Sequence, residues 1–271
     1  MVLFSIATLG KAALKGRLDL VTKFLEEGQD PNKPDRRGLT PLQYATSKGH
    51  FDIVKILVEK ANVDVDKRKE GSFNPLMYAV FGNHHEIAAY LLNNGAETVC
   101  SDNEYSPLHY VIMNDKKSWA EEIIELMLKT GANPNCIDKL KQTPLEHAFQ
   151  KKNAKIIRML VAFGADVRKL NKQGLSILHC MAATTDFALQ DRLAIVGDIL
   201  KTGMDPNIPG RDGSTPLHLA VCQKGRQGLE MVSLLIEHGA DLRVRDSQGK
   251  TPLDSAAEHG SLEMQSFLET C

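Results

Sequence analysis

STPLHLAVCQKGRQGLEMVSLLIEHGADLRVRDSQG, residues 214–249, carries the pattern from which the rest of the chain can be read. It opens on Thr215-Pro216, a hydroxyl able to cap a helix followed by the residue best suited to a first helical turn. A second segment follows with Met231, Val232, Leu234 and Leu235 at helical spacing, and it stops at Gly239. The same phrase recurs as TPLQYA from Thr40, NPLMYA from Asn74, SPLHYV from Ser106, TPLEHA from Thr143, SILHCM from Ser176 and TPLDSA from Thr251. Successive second positions lie 34, 32, 37, 33, 39 and 36 residues apart. A period of that size marks a stack of small units, each too small to bury its own apolar face.

Each unit reads as two helices and a connection. Pro41, Pro75, Pro107, Pro144, Pro216 and Pro252 suit a first helical position, where the missing N–H is not needed. Ala45, Ala79, Ala148, Ala220 and Ala256 are small enough for close packing between units. Gly28, Gly95, Gly131, Gly164, Gly203 and Gly239 stand where the second helix should end on a left-handed residue. Between each of these and the next phrase lies a turn-rich stretch such as QDPNKPDRRG.

The phrase and its sequel resemble the ankyrin repeat. The resemblance covers residues 9–271 as eight units, the first lacking the phrase. It implies an all-α ankyrin-repeat solenoid of stacked helix-turn-helix units with projecting β-hairpin or loop fingers. One continuous domain, 1–271, is expected, with units near 1–38, 39–71, 72–104, 105–141, 142–174, 175–213, 214–249 and 250–271. The first and last units are expected to act as caps.

Composition narrows the function. Lys plus Arg number 33 against 34 for Asp plus Glu, a formal charge of −1, so the chain as a whole does not attract polyanions. Charge on successive fingers changes sign, between +2 at residues 33–38 and −3 at 97–104, whereas a phosphate-tracking surface needs a continuous basic stripe. No nucleic acid partner is therefore expected. No apolar run approaches the roughly 20 residues of a membrane span. The opening MVLFSIATLG lacks a basic segment, and Val2, Leu3, Phe4 and Ile6 are read as packing on the first unit rather than as a signal or anchor.

Cys100, Cys136, Cys180, Cys222 and Cys271 form no CxxC pair, which speaks against a zinc site or a disulfide framework. Cys100 and Cys136 share a register and are read as free thiols, with a redox pair as the alternative. His109, His179 and His218 recur at the fourth position of the phrase, where the family resemblance implies hydrogen bonds that bridge neighbouring loops. The His84/His85 pair is weighed as a metal site and set below packing. No nucleophile elbow, phosphate loop or HExxH motif appears. The chain is thus expected to have no catalytic residues, no metal and no cofactor.

The resemblance also places the partner. In ankyrin stacks the two residues after the LA element vary with the ligand. Here these include Leu14 and Lys15, Ser47 and Lys48, Phe81 and Gly82, and Met113 and Asn114. Later in the chain they are Gln150 and Lys151, Ala183 and Thr184, Cys222 and Gln223, and Glu258 and His259. Phe81 and Met113 are apolar at positions that repeat packing does not require. Tyr44, Tyr78 and Tyr110 recur at the third residue after the proline and are read either as a ladder on the binding face or as buried rings with satisfied hydroxyls. Together with Lys48, Arg36 and Arg37 they make the candidate anchor zone. Lys33, Arg36, Arg37 and Lys48 form a basic cluster able to meet an acidic peptide, or else a solvated finger.

Extra residues separate the two helices around Asp115–Ala120, Thr185–Arg192 and Gly225–Gly228. Trp119 and Phe187 there could offer a second contact edge or could pack inward. Lys141 occupies the turn position that glycine holds elsewhere. The function expected is a monomeric protein-interaction scaffold or adaptor that binds a protein or peptide on its concave face, in the cytoplasm or nucleus. The alternatives are an IκB-like inhibitor masking an enzyme or transcription factor, and the targeting domain of a larger effector or enzyme.

Overall fold

A computed structural model describes residues 8–98, 106–114, 119–258 and 262–270. Cys100, the hydrophobic start through Ile6, residues 115–118 of the first insertion, His259 and Cys271 lie outside the described residues. Sixteen α-helices are present among those described, and no strand. Contacts divide the chain into two compact units, Met1–Thr143 and Pro144–Cys271.

The first unit holds four helix pairs: α1 (Leu9–Leu14) with α2 (Leu18–Glu26), α3 (Pro41–Lys48) with α4 (Phe51–Lys60), α5 (Pro75–Phe81) with α6 (His85–Asn93), and α7 (Pro107–Met113) with α8 (Ala120–Lys129). The second holds α9 (Pro144–Gln150) with α10 (Ala154–Ala162), α11 (Ile177–Ala183) with α12 (Leu189–Lys201), α13 (Pro216–Ala220) with α14 (Gly225–Glu237), and α15 (Pro252–Glu258) with α16 (Leu262–Thr270). Within each unit, like helices of successive pairs pack side by side, α1 on α3 and α3 on α5 in the first, α11 on α13 in the second.

Local chemistry starts and stops these helices as the sequence requires. Thr40, Asn74 and Ser106 each accept a hydrogen bond from the backbone N–H three residues on. A reciprocal bond from the fourth residue closes the capping box, with Gln43 Oε1 accepting from Thr40 N at 2.8 Å and His218 Nδ1 from Thr215 N at 3.1 Å. Second helices such as α2 and α14 stop on left-handed glycines, φ 78° at Gly28 and 91° at Gly239, whereas α4 is followed by left-handed Asn62. Ala45, Ala79, Ala148, Ala220 and Ala256 are completely buried, so a methyl group is all that fits at each of these packing points.

The fourth side chain of the phrase reaches beyond its own helix. His109 Nε2 pairs with Gln142 O at 3.1 Å, His179 Nε2 with Ser214 O at 3.0 Å and His218 Nε2 with Lys250 O at 3.0 Å. In the first full copy of the phrase Gln43 does the same work, its Nε2 donating to Phe73 O at 2.8 Å. One residue therefore caps its own helix and holds the next finger.

The fingers are loops built on a side-chain turn. Asp35 N donates to Leu39 O at 2.9 Å while Asp35 Oδ1 accepts from Arg37 N and Leu39 N. Asp138, Asn171 and Asp246 repeat the arrangement. The turn requires a left-handed residue, supplied by Gly38, Gly174 and Gly249, and Lys141 adopts φ 63° in the place of glycine.

Candidate partner-binding face

Two features stand out in the first unit. The first is a chain of rings. Phe73 meets Tyr78 edge to face at 6.1 Å and Phe81 at 4.9 Å, and Phe81 meets Tyr110 at 4.3 Å. α5 and α7 supply Tyr78, Phe81 and Tyr110 from rigid backbone, and Phe73 comes from the finger just before the Asn74 cap. Phe81 remains 38% exposed at its centre. Tyr78 and Tyr110 are half-buried, as is Met113 in the last turn of α7. The sequence reading passed over Phe73 because it lies outside the variable pair. Its signal was an aromatic ring where Leu39 and Leu175 stand in other repeats.

The second feature is a groove of about 1090 Å³ between α1 and the first finger. Leu9, Leu14, Pro41 and Tyr44 give it an apolar floor, and Lys11, Lys33, Arg36 and Arg37 stand at its rim. Tyr44, in the same register as Tyr78 one repeat earlier, lines the groove. Its own hydroxyl donates to Asp35 Oδ2 at 2.5 Å, and its ring is only 9% exposed. Burial, reinforced by the Asp35 carboxylate, pushes the Tyr44 phenol up to about 12. Burial also pushes Asp35 up, but the bonds from Tyr44 and from the Leu39 and Arg37 amides outweigh it, and the carboxyl ends below the usual carboxylate range.

Tyr44, Tyr78, Phe81, Tyr110, Arg36 and Arg37 thus fall on the ring chain or the groove. Lys48 does not line the groove. It is exposed in the last turn of α3, where an ammonium favours the helix C-terminus.

In the second unit the variable positions do different work. α11 ends at Ala183 with Thr184 extended, so no left-handed residue serves its last carbonyls. Arg192, completely buried, donates from Nε to Met181 O and from Nη2 to Ala182 O, both at 3.3 Å. Gln223, at a variable position of the next repeat, donates from Nε2 to Ala182 O and Ala183 O at 2.9 and 2.6 Å, and its Oε1 accepts from Arg192 at 3.0 Å. Burial pulls the Arg192 guanidinium down from its ordinary value. Glu258, another variable residue, pairs with Lys250 at 2.7 Å.

The remaining candidates resolve as packing. Trp119 Nε1 donates to Asn83 Oδ1 at 3.0 Å and its ring stacks on His85 at 5.9 Å, while the His84 ring packs over Gly49 and Gly82. Phe187 is 7% exposed and lies 5.7 Å from Phe149. The Ser106–His109 and Ser176–His179 pairs have the residue types of a hydrolase dyad. All four side chains are buried and committed to caps and finger bonds. Cys136 Sγ lies 3.3 Å from Ser106 Oγ, and burial raises its thiol, which keeps it protonated. Cys180 is half-buried and pushed up to about 11 by burial. Among the described residues no helix is long and apolar enough to cross a membrane, and no three metal-binding side chains converge.

The family model for ankyrin repeats, three copies, matches residues 9–102, 94–171 and 181–269, and the chain belongs to that family. It is 26% identical over 211 residues to the ankyrin repeat protein nuc-2 of Neurospora crassa, covering 74% of this chain and 18% of that protein. It is 28% identical over 229 residues to human ankyrin repeat and SOCS box protein 16, covering 83% and 49% respectively. Over 172 residues it is 30% identical to human B-cell lymphoma 3 protein, covering 59% and 34%. The chain thus spans half or less of each of these relatives. Ankyrin repeats generally mediate protein–protein interaction.

Proposed function

We propose that this chain is an interaction scaffold or adaptor that captures a partner protein or peptide on the face formed by Tyr44, Tyr78, Phe81, Tyr110 and Met113, flanked by Arg36, Arg37 and Lys48. The carrying observation is the exposure of Phe81 at the centre of a ring chain held by two helices. Rings already fixed by their neighbours lose little entropy on binding, and aromatic residues with arginine dominate interface hot spots.

The test is affinity capture from cell lysate read by mass spectrometry, comparing the wild type with Phe81→Ala/Met113→Ala. Partner recovery should be lost while unfolding free energy stays within about 1–2 kcal/mol of wild type. Equal loss of folding and capture would assign both side chains to the core and end the reading.

A further inference from the structure

We propose that the groove between α1 and the first finger takes an acidic peptide segment of the partner, an apolar side chain of that segment seated on Leu9, Leu14 and Pro41. The inference rests on the reading of this chain as a partner-binding module and adds the chemistry of what it binds.

The charge at the groove is unbalanced in a specific way. Lys11, Lys33, Arg36 and Arg37 contribute four cations, against the carboxylates of Asp30 and Asp35. Both carboxylates serve the finger itself. Asp30 Oδ1 accepts from Asn32 N at 2.8 Å. Asp35 Oδ1 accepts from Arg37 N and Leu39 N, and its Oδ2 accepts from the Tyr44 hydroxyl. Among the described residues, Lys11, Lys33 and Arg36 have no carboxylate within ion-pair distance. The rim therefore offers unpaired cationic donors above an apolar floor.

That combination fits a peptide better than a nucleic acid backbone. The next finger, residues 64–71, carries no net charge, so the basic rim ends after one finger and cannot follow a run of phosphates. A peptide needs only a few carboxylates spaced about one side chain that fills the floor.

The experiment selects random short peptides displayed against the full chain, then measures the selected peptides by fluorescence anisotropy. Wild type should enrich Asp and Glu around an apolar residue, and Arg36→Glu/Arg37→Glu should weaken those peptides by about tenfold or more. Both arginines are exposed, so the variant's circular dichroism and melting should match wild type. Four results would overturn the inference: no enrichment, enrichment of neutral or basic peptides, equal binding by the variant, or oligo-dT binding as tightly as the selected peptides. The lysate capture separates the two readings. Capture kept by Arg36→Glu/Arg37→Glu but lost by Phe81→Ala/Met113→Ala sinks the groove assignment alone. Capture kept by both variants sinks both.

Discussion

The first and second units are built from the same phrase, yet they use its variable positions in opposite ways. In the first, Phe81 and Leu14 face a ring chain and a groove. In the second, Gln223 turns inward and, with Arg192, satisfies the carbonyl end of α11. The repeat permits variation at a position without deciding whether that freedom goes to a ligand or to a local defect. α11 lacks a left-handed stop and its repeat carries an insertion, so the second unit uses the freedom for repair.

The comparison breaks most severely at Arg192. Arg192→Met would leave Met181 O and Gln223 Oε1 without their donor in a buried site. Removing a buried charge offsets part of that loss, and we expect a net destabilisation of about 2–3 kcal/mol by urea unfolding. A variant as stable as wild type would show that the capping bonds contribute nothing net.

Tyr44 tests the other unit more gently. Tyr44→Phe should cost about 1 kcal/mol, since one hydrogen bond to a partly solvated carboxylate is lost. The folded phenol is raised, so its contribution is complete below pH 10 and disappears as pH rises towards about 12. The folded Asp35 carboxyl is lowered, so its share is present above 3.8 and is lost on further acidification. The difference between wild type and Tyr44→Phe should therefore be flat across neutral pH and shrink at both extremes. A difference that stays constant in alkali would deny the bond to Asp35.

Effects of the same size or smaller come from left-handed lysines, one in each unit. Lys141 and Lys152 hold φ 63° and 57°. Lys141→Gly should stabilise by about 1 kcal/mol, with relief of backbone strain exceeding the entropy lost to a freer unfolded chain. Lys152→Gly should stabilise by less than about 1 kcal/mol, because the same relief is partly offset by loss of an ion pair of 3.0 Å with Asp186, itself exposed and weak. Thermal melting of the two variants ranks them directly.

Much of this was legible in the residues. Proline, the preceding hydroxyl or amide, the inward alanine and the terminal glycine each carry a local backbone requirement, so helix starts and stops follow from sequence without knowledge of packing. The bridging histidines followed from the family resemblance, and Gln43 in their place was visible but unread. The fingers were expected as β-hairpins or loops, and they are loops because an Asp or Asn side chain satisfies the turn amides that a strand pair would otherwise occupy.

Tertiary structure alone decided the fate of side chains whose role depends on neighbours some thirty residues away, such as Gln43 against Phe73 O. Tyr44 and Tyr78 share a register, yet one is buried against Asp35 and the other joins Phe73. Trp119 and Phe187, for which inward packing was the favoured of two readings, are held by a bond to Asn83 and by packing on Phe149. Sequence determines what a residue can do within one helical turn, where covalent geometry limits the choices. Which apolar side chain stays in water depends on the surfaces brought against it, and those are set only when repeats stack.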